Sequence, residues 1–251
     1  MTSNHGAAGP DSHQVALIAG AGDALGGANA RRFARGGYTA CVVRRSAEKL
    51  GPLVDTIAKE GRRAVPFGID ARKEDQLVAM IERIEREIGS IEVVVFNIGA
   101  NVRFPITETT TQKYFKVWEM ACLAGFLTGR ETARVMLGRG RGTILFTGAT
   151  ASVRGASGFA AFAGGKHGLR ALAQSMAREL WPKNIHVAHV VIDGAIDTEF
   201  VRTLFRERYA LKEVDGILNP DHVAENYWFL HKQPRTAWTF EMDLRPYIEA
   251  W

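Results

Sequence analysis

The chain is 251 residues long, 46% of its residues are apolar, 24% are charged, and its formal net charge is +5. No apolar run approaches the roughly 20 residues that a membrane span needs, so we expect a soluble, cytoplasmic protein with no membrane partner. The basic residues are spread along the chain without a nucleic-acid-binding motif, which argues against a nucleic-acid partner. Cys41 and Cys122, the two cysteines, share no metal-ligand spacing, and we expect no metal site.

From Val15 onward, short β-branched runs alternate with longer segments in which apolar residues recur every three or four positions. This alternation is typical of parallel strands joined by right-handed helical crossovers. We predict strands at residues 15–19, 38–44, 63–68, 91–97, 142–147, 185–192 and 236–243. We predict helices at residues 24–36, 47–60, 74–88, 111–137 and 158–181. The expected fold class is α/β, a doubly wound parallel sheet of about seven strands with helices on both faces.

No linker or internal repeat divides the sequence, so we expect a single domain over residues 14–251. The first 13 residues are polar and lack the apolar stretch of a secretory signal, and we interpret them as a disordered leader. Residues at about 198–232 interrupt the alternation with aromatic side chains among charges. We predict that they form a helical insert over the carboxyl edge of the sheet, where ligands bind in such folds.

A glycine-rich turn, Gly-Ala-Gly-Asp-Ala-Leu-Gly at residues 20–26, follows the first predicted strand and opens the first predicted helix. Glycine at such a turn lets backbone amides and a helix N-terminus approach a pyrophosphate. The spacing is one residue longer than the dinucleotide fingerprint, and a glycine turn without a ligand is the alternative. The position between strand and helix favours nucleotide binding.

The end of the second predicted strand indicates which dinucleotide would bind. Arg44 and Arg45 stand where an NAD-binding chain would carry an acidic residue for the ribose hydroxyls, so they favour the 2′-phosphate of NADP(H) over NAD(H). Asp23 in the turn argues the other way, because a carboxylate repels a phosphate. The alternative is that both arginines are simply solvated.

Three further motifs follow in register: Asn-Ile-Gly at residues 97–99, Phe-x-x-x-Lys at residues 162–166, and Asp-Gly-x-x-x-Thr at residues 193–198. Together with the glycine turn, they resemble the short-chain dehydrogenase/reductase family from about residue 14 to the end of the chain. The resemblance implies a Rossmann-type fold, an NAD(P) cofactor and a homodimer or homotetramer that pairs through the fourth and fifth predicted helices, at 111–137 and 158–181.

The resemblance also implies a set of cofactor contacts along the carboxyl edge of the sheet. In the family, an aspartate after the third strand contacts the adenine, and the turn after the sixth strand meets the nicotinamide carboxamide. The predicted cofactor-binding residues are Gly20, Gly22, Asp23, Leu25, Gly26, Arg44, Arg45, Asp70, Asn97, Gly99, Lys166, Gly194, Ile196 and Thr198.

In this family a tyrosine protonates the substrate carbonyl, and a lysine four residues later holds the cofactor ribose and lowers the tyrosine pKa. Lys166 matches that lysine and is the catalytic residue that the resemblance carries over. Phe162 occupies the tyrosine position, Ala149 the serine position and, on a looser alignment, Ala121 the asparagine position. General acid catalysis is worth about 10² to 10⁴ in rate, so a standard ketone reductase would be severely slowed.

Other side chains could supply the missing hydrogen bonds or line the substrate pocket. The candidates to replace the serine are Thr147, Thr150 and Ser152, whose alternative role is to cap a turn. The candidate proton donors in the insert are Tyr209, Tyr227 and His222, whose alternative role is packing. Apolar walls are expected from Phe159, Phe162, Phe200 and Phe205, and they suit an apolar small-molecule substrate.

The sequence therefore predicts an NADP(H)-linked, short-chain-type oxidoreductase that transfers a hydride to or from an apolar carbonyl, alcohol or related small molecule. Its proton relay would be atypical. The alternative is a catalytically inactive NADP(H)-binding protein with a regulatory or structural role. Both hypotheses predict cofactor binding, and only the first predicts turnover.

Overall fold

The computed structural model describes residues 14–99 and 101–250, whose strands form one seven-stranded parallel sheet in the order β3-β2-β1-β4-β5-β6-β7. The strands are β1 Gln14–Ala19, β2 Thr39–Arg44, β3 Ala64–Gly68, β4 Ser90–Phe96, β5 Gly142–Thr147, β6 Ile185–Ile192 and β7 Glu241–Leu244. This sheet confirms the predicted α/β fold class. The predicted leader, residues 1–13, lies outside the described residues.

Helices cover both faces of the sheet. They are α1 Leu25–Arg35, α2 Gly51–Lys59, α3 Glu74–Glu87, α4 Thr111–Trp118, α5 Ala124–Arg139, α6 Ala160–Leu180, α7 Glu199–Leu204, α8 Arg206–Ala210 and α9 Pro220–Lys232. A π-helical turn, Glu119–Leu123, joins α4 to α5, so the single helix predicted at 111–137 is interrupted. Such turns arise where one extra residue is inserted into a helix.

Each central strand is buried on both faces because its side chains alternate between two cores. In β1, Leu17 contributes to the core shared with α3, α5 and α6, whereas Ile18 contributes to the core shared with α1, α2 and α9. Both side chains are fully buried. A strand that is covered twice must be apolar at nearly every position, and this explains the continuous β-branched runs of the sequence.

The last predicted strand, at 236–243, is wrong at its start, because β7 begins only at Glu241. The indole Nε1 of Trp238 donates to the carbonyl of Gln233 over 3.2 Å, and its ring stacks on His186 with the centroids 4.8 Å apart. A one-turn 3₁₀ helix, Arg235–Ala237, precedes it. The aromatic residues that suggested a strand therefore hold a loop against β6.

The carboxyl edge of the sheet has a crevice between β1 and β4, where the strand order reverses direction. The loops after these two strands meet there, because the amide of Asn97 donates to the carbonyl of Ala19 over 2.8 Å. In doubly wound sheets, ligands bind at this switch point. Within the described part of the chain, no helix is long and apolar enough to cross a bilayer.

Candidate active site

The glycine turn is closed on one side and open on the other. Gly20 has a φ of 90°, and a Cβ placed on it would lie 2.6 Å from the carbonyl oxygen of Asn97. A Cβ on Gly26 would lie 2.3 Å from the carbonyl oxygen of Gly20, so the helix packs directly on the turn. At Gly22 a Cβ would meet nothing within 4 Å. Residue 24, an alanine, offers no capping side chain to the first amides of α1. Open space beside uncapped helix amides fits the pyrophosphate of a dinucleotide.

A cavity of about 230 Å³ lies beside this turn, at the carboxyl ends of β1 to β4. Seven of the predicted cofactor-binding residues line it together: Gly20, Gly22, Arg44, Arg45, Asp70, Asn97 and Gly99. We refer to it as the first cavity. The structure thus brings residues from four separate loops into one wall.

Arg72, which the sequence analysis missed, also lines the first cavity. Its Nε and Nη2 atoms donate to the two carboxylate oxygens of Asp70 over 2.9 and 2.5 Å. These hydrogen bonds hold the pKa of Asp70 below its usual range. Asp70, which the resemblance assigns to the adenine contact, is therefore already paired with a cation. The spacing Asp-x-Arg at residues 70–72 was the sequence signal that could have predicted this pair.

Asp23, the carboxylate that argued against NADP(H), lies 3.7 Å from the guanidinium of Arg44. Its side chain is 89% exposed, and an exposed ion pair contributes only about 0–1 kcal/mol. The pair is weak enough for a phosphate to displace. Asp23 can therefore orient Arg44 without preventing it from binding an anion.

A second cavity, of about 460 Å³, continues along the edge of the sheet beyond β4. It shares Asn97 and Gly99 with the first cavity. Its walls contain the following further residues that the sequence analysis singled out: Leu25, Thr147, Ala149, Thr150, Phe159, Phe162, Lys166, Gly194 and Ile196. The two cavities therefore lie side by side at the loop after β4.

Lys166 belongs to α6 and is 3% exposed, and its side chain extends to the carboxyl ends of β4 and β5. Its Nζ atom donates to the carbonyl of Thr147 over 2.8 Å and to that of Ile98 over 3.3 Å. Burial lowers the pKa of Lys166 to about 8. An ammonium has three donors, so the group retains one for a ligand beside Gly99, whose added Cβ would lie 3.4 Å from Nζ.

Phe162 lies one helical turn before Lys166 and also lines the second cavity. It is 7% exposed and packs in a small apolar cluster with Val117 and Ala161. Ala149 also lines this cavity, and its backbone amide donates to the hydroxyl of Ser152 over 3.1 Å. The side chains at these two wall positions offer a ligand no proton.

Ala121 is fully buried in the π-helical turn between α4 and α5. A Cβ on Gly165 would lie 3.0 Å from the Cβ of Ala121. This residue therefore packs against α6 next to Lys166. Its family role stays a prediction.

The sequence model of the short chain dehydrogenases matches residues 14–209. The chain belongs to this family of oxidoreductases. The match covers most of the chain and confirms the resemblance inferred from the motifs. Members of this family share a nucleotide-binding Rossmann fold and bind an NAD(P) cofactor.

A solved relative is similar over nearly its whole length. The crystal structure of a short-chain dehydrogenase from Rhodopseudomonas palustris is 51% identical, has a TM-score of 0.81, and is matched over 95% of this chain and 100% of that chain. A metagenomic short-chain oxidoreductase solved in complex with NADP has a TM-score of 0.81 over 94% of this chain and 98% of that one. That structure is 24% identical, and its likeness shows the fold alone.

Two curated relatives have different substrates in their names. A 2-dehydro-3-deoxy-D-gluconate 5-dehydrogenase of Formosa agariphila is 29% identical over 175 residues, 69% of this chain and 66% of that protein. The hydroxynaphthalene reductase-like protein Arp2 of Metarhizium robertsii is 31% identical over 187 residues, 74% of this chain and 69% of that protein. The chain thus matches about two thirds of the length of each.

In this short-chain dehydrogenase a buried carboxylate contacts two residues that line the second cavity, Thr150 and Arg154. The hydroxyl of Thr150 donates to the carboxylate of Asp193, which is 2% exposed. The guanidinium of Arg245 lies 3.3 Å from the other carboxylate oxygen. Nη2 of Arg154 lies 3.5 Å from both oxygens. The sequence analysis had noted Asp193 only as a turn residue, although an acid directly after a buried strand was a signal of this kind of site.

Thr198 lies outside the walls of the second cavity that hold Gly194 and Ile196. Its hydroxyl caps α7 by accepting from the amide of Val201 over 3.0 Å. It lines a neighbouring cavity of about 480 Å³ with Asp23. The hydroxyl accepts in this cap and still has its own proton to donate, and the cofactor role predicted for Thr198 stays a prediction.

The candidate proton donors of the predicted insert lie apart from the second cavity. Tyr227 is fully buried in the core, its hydroxyl is 2.7 Å from that of Thr147, and burial raises its pKa. Tyr209 and Phe200 line the neighbouring cavity beside Thr198. Phe200 was expected in the substrate pocket, and it turns away because α7 leaves the edge of the sheet. His222 lines another cavity, on the carboxyl-terminal side.

No group of three His, Cys, Asp or Glu side chains that could hold a metal ion occurs in the parts of the chain that the structure describes. The side chains of the second cavity that carry a hydroxyl or a charge are those of Thr147, Thr150, Arg154 and Lys166.

Proposed function

We propose that this chain is an NADP(H)-dependent oxidoreductase that exchanges a hydride with a small carbonyl or alcohol. The observation that supports it best is that Asn97 and Gly99 line both cavities, so the two lie side by side along the carboxyl edge of the sheet. A ligand that begins at Arg44 and follows the carboxyl edge of the sheet reaches Lys166 without leaving the protein surface. A dinucleotide has the extended shape and the anionic centre that this path requires.

The residues along this path would each hold one part of the cofactor. The amides of the glycine turn and of α1 would bind the pyrophosphate, and Arg44 and Arg45 would bind the 2′-phosphate. Lys166 would donate its remaining hydrogen bond to the ribose beside the nicotinamide, with Gly194 and Ile196 at the carboxamide. The bound nicotinamide would supply or accept the hydride.

We further propose that the Thr150–Asp193 pair exchanges a proton with the substrate. Phe162, which the resemblance aligns with the family tyrosine, has no hydroxyl that could do so. In the direction of alcohol oxidation, the substrate hydroxyl gives its proton to Oγ1 of Thr150, while the proton of Thr150 passes to the Asp193 carboxylate. Reduction reverses both transfers. Thr150 lines the cavity and Asp193 lies behind it, so the pair has the geometry of a relay.

The substrate would be a small molecule with an apolar part. Phe159 and Phe162 give the second cavity aromatic walls, and its volume of about 460 Å³ would hold the nicotinamide end of the cofactor together with a small substrate. The names of the curated relatives, one a sugar-acid dehydrogenase and one a hydroxynaphthalene reductase-like protein, are compatible with small substrates of either polarity.

The cofactor proposal is tested by titrating the purified protein with NADPH and NADH, following fluorescence enhancement and thermal shift. We expect NADPH to bind about ten-fold or more tightly than NADH, because two arginines face the 2′-phosphate. The Arg44→Ala/Arg45→Ala variant should bind NADPH and NADH equally. A control variant with Arg86 and Arg178, which lie on the outer helices, both replaced by alanine should keep the wild-type preference for NADPH. Equal binding of the two cofactors by the wild type would exclude the NADP(H) preference, and binding of neither would exclude the proposed function.

A catalytically inactive NADP(H)-binding protein with a regulatory or structural role is the second candidate. The observation that favours it is the absence of a polar side chain at Phe162, Ala149 and Ala121, the three positions that the alignment assigns to catalysis. Substrate-dependent oxidation of NADPH by the pure protein would exclude this candidate. Tight cofactor binding without turnover of any aromatic ketone, aldehyde or oxo acid would favour it.

We also propose a homodimer or homotetramer in the cytoplasm. The outer faces of α5 and α6 expose Phe126 and Leu137 around a groove of about 340 Å³, which suits pairing with a second copy. Light scattering measures the mass in solution, and a monomer at micromolar concentration would contradict this proposal.

A further inference from the structure

We propose that the second cavity binds a carboxylate group of the substrate, and that Arg154 holds it. This inference rests on the proposed function, because it identifies the substrate class of that same site. It adds a charged end to a substrate whose remainder contacts aromatic walls. Nothing in the sequence motifs singles out Arg154, which follows the turn after β5.

The charge of the cavity wall points to an anionic ligand. Two of the described residues that line the second cavity are cationic, Lys166 and Arg154, and the carboxylate of Asp193 behind this wall is paired with Arg245 as well as with Arg154. Lys166 is already directed at the carbonyls of Ile98 and Thr147, on the side of the first cavity. Arg154 is therefore the cation that remains for a substrate.

The contacts of Arg154 leave most of its donors available. Its Nη2 atom lies 3.5 Å from both oxygens of Asp193, at the outer limit of a hydrogen bond. Asp193 has closer partners in Thr150 and Arg245. The side chain of Arg154 is 44% exposed, and its Nε and Nη1 atoms have no hydrogen bond to the residues that the structure describes.

Asp193 consequently acts as a positioning residue for Arg154. The carboxylate is buried and is fixed from two other sides, so it anchors Nη2 of the guanidinium. Nη2 carries two N–H groups, and the one that is not directed at Asp193 can act with a parallel N–H of Nη1 or Nε, a pair that binds a carboxylate through two hydrogen bonds. A lysine could not present such a pair, because its ammonium is a point charge.

A second basic residue lies on the neighbouring loop. Arg103 packs on Gly158, where an added Cβ would lie 2.8 Å from its Cγ, and the amide of Phe104 donates to the carbonyl of Gly158 over 2.8 Å. The next residue, Phe159, lines the cavity. Arg103 is exposed and adds positive potential beside this wall. An aromatic wall between two arginines suits a small molecule with an apolar body and one carboxylate.

The test compares two probes that differ in this group, benzoylformate and acetophenone, by calorimetric titration of the protein saturated with NADP⁺. Benzoylformate is an aryl ketone with a carboxylate next to the carbonyl, and acetophenone carries a methyl group instead. We expect benzoylformate to bind the wild type ten-fold to a hundred-fold more tightly, because a charged hydrogen-bond pair is formed in a partly dry cavity. The difference should shrink as salt is added.

Arg154→Met should reduce this preference to less than about two-fold, and Arg154→Lys should keep part of it, as expected if the planar fork matters beyond the charge. Arg178→Met, which removes an exposed arginine near the distant end of α6, should keep the full preference. The thermal shift caused by NADPH should be the same in all three variants and in the wild type, which also shows that each variant is folded.

The two proposals fail in different ways. Cofactor binding by the wild type together with equal affinity for the two probes would overturn the carboxylate site and leave the proposed function intact. A carboxylate preference that survives in Arg154→Met would overturn the role of Arg154. Absence of any NADPH binding would overturn the proposed function itself.

Discussion

The two cavities at the carboxyl edge of the sheet are built in different ways. The first is made by backbone and by charges close to strand ends, with Gly20 closed against Asn97 and with Arg44 beside it. The second is made by side chains of α6 and of the loops after β5 and β6, and its wall positions Phe162 and Ala149 are apolar. In the proposed function the first cavity holds the adenosine and pyrophosphate part of the cofactor, whereas the nicotinamide part and the substrate share the second cavity. The apolar positions Phe162 and Ala149 lie only in the second cavity.

The largest expected effect comes from restoring polar groups to the second cavity. In Phe162→Tyr/Ala149→Ser, the new phenol lies one turn before Lys166 and the new hydroxyl lines the same cavity. If these are the family positions, reduction of aromatic ketones by NADPH should rise by about 10² or more, as expected when a general acid is supplied. The measurement is the initial rate of NADPH consumption with a panel of such ketones.

The matched control for this gain is Phe159→Tyr, which adds a phenol to the same cavity at a position with no family role. Its rate should stay at the wild-type level. A gain of the same size in the control would show that any added hydroxyl helps. No gain in the double variant, with NADPH still bound, would contradict the alignment of Phe162 with the family tyrosine.

A change in the first cavity should act on stability and cofactor binding together. Gly20→Ala places a Cβ 2.6 Å from the Asn97 carbonyl at a φ of 90°, which alanine rarely adopts. We expect a loss of roughly 2–4 kcal/mol in the free energy of unfolding, from backbone strain and overpacking. Chemical denaturation measures this loss, and NADPH titration should show binding weakened as well.

Gly22→Ala separates the two effects, because its added Cβ meets nothing within 4 Å and its φ is ordinary. Its unfolding free energy should stay within about 0.5 kcal/mol of the wild type, the range of surface substitutions. NADPH should nevertheless bind less tightly, since the methyl group occupies the open face of the turn. Unchanged NADPH affinity would place the pyrophosphate elsewhere.

The smallest expected effect is the pH dependence at the junction of the cavities. Burial lowers the pKa of Lys166 to about 8 in the free protein, and an anionic cofactor favours the protonated form. The bound protein therefore holds the proton more tightly than the free protein. NADPH affinity should then fall as the pH rises above 8, with no change from this group well below it. Fluorescence titration across that range gives the profile.

Lys166→Met removes the titrating group. Its NADPH affinity at pH 7 should be about ten-fold to a hundred-fold lower, the cost of one charged hydrogen bond, and the fall above pH 8 should disappear. A variant that keeps the fall would assign the pH dependence to another group.

The sequence predicted the sheet because its five central strands, β1, β2, β4, β5 and β6, are short and buried on both faces. The run from Ile185 to Ile192 is apolar enough that its bounds were predicted as they are observed. The start of β7 was wrong because Trp238 is as apolar as a strand residue, and only its partner His186 holds it in a loop. The pattern of apolar residues in the sequence looks the same whether an aromatic residue lies in a strand or in a loop that stacks against a strand.

The sequence by itself determined the parallel α/β fold, the glycine turn and the placement of Phe162 one turn before Lys166, because these depend on neighbours within a few positions. Only the tertiary structure decided that Arg154, Asp193 and Arg245 meet at the second cavity, or that Phe200 turns away from it. Residues that lie far apart in the chain are brought together by how loops leave the strand ends. The packing of the loops fixes that arrangement, and no repeating pattern of residues in the sequence predicts it.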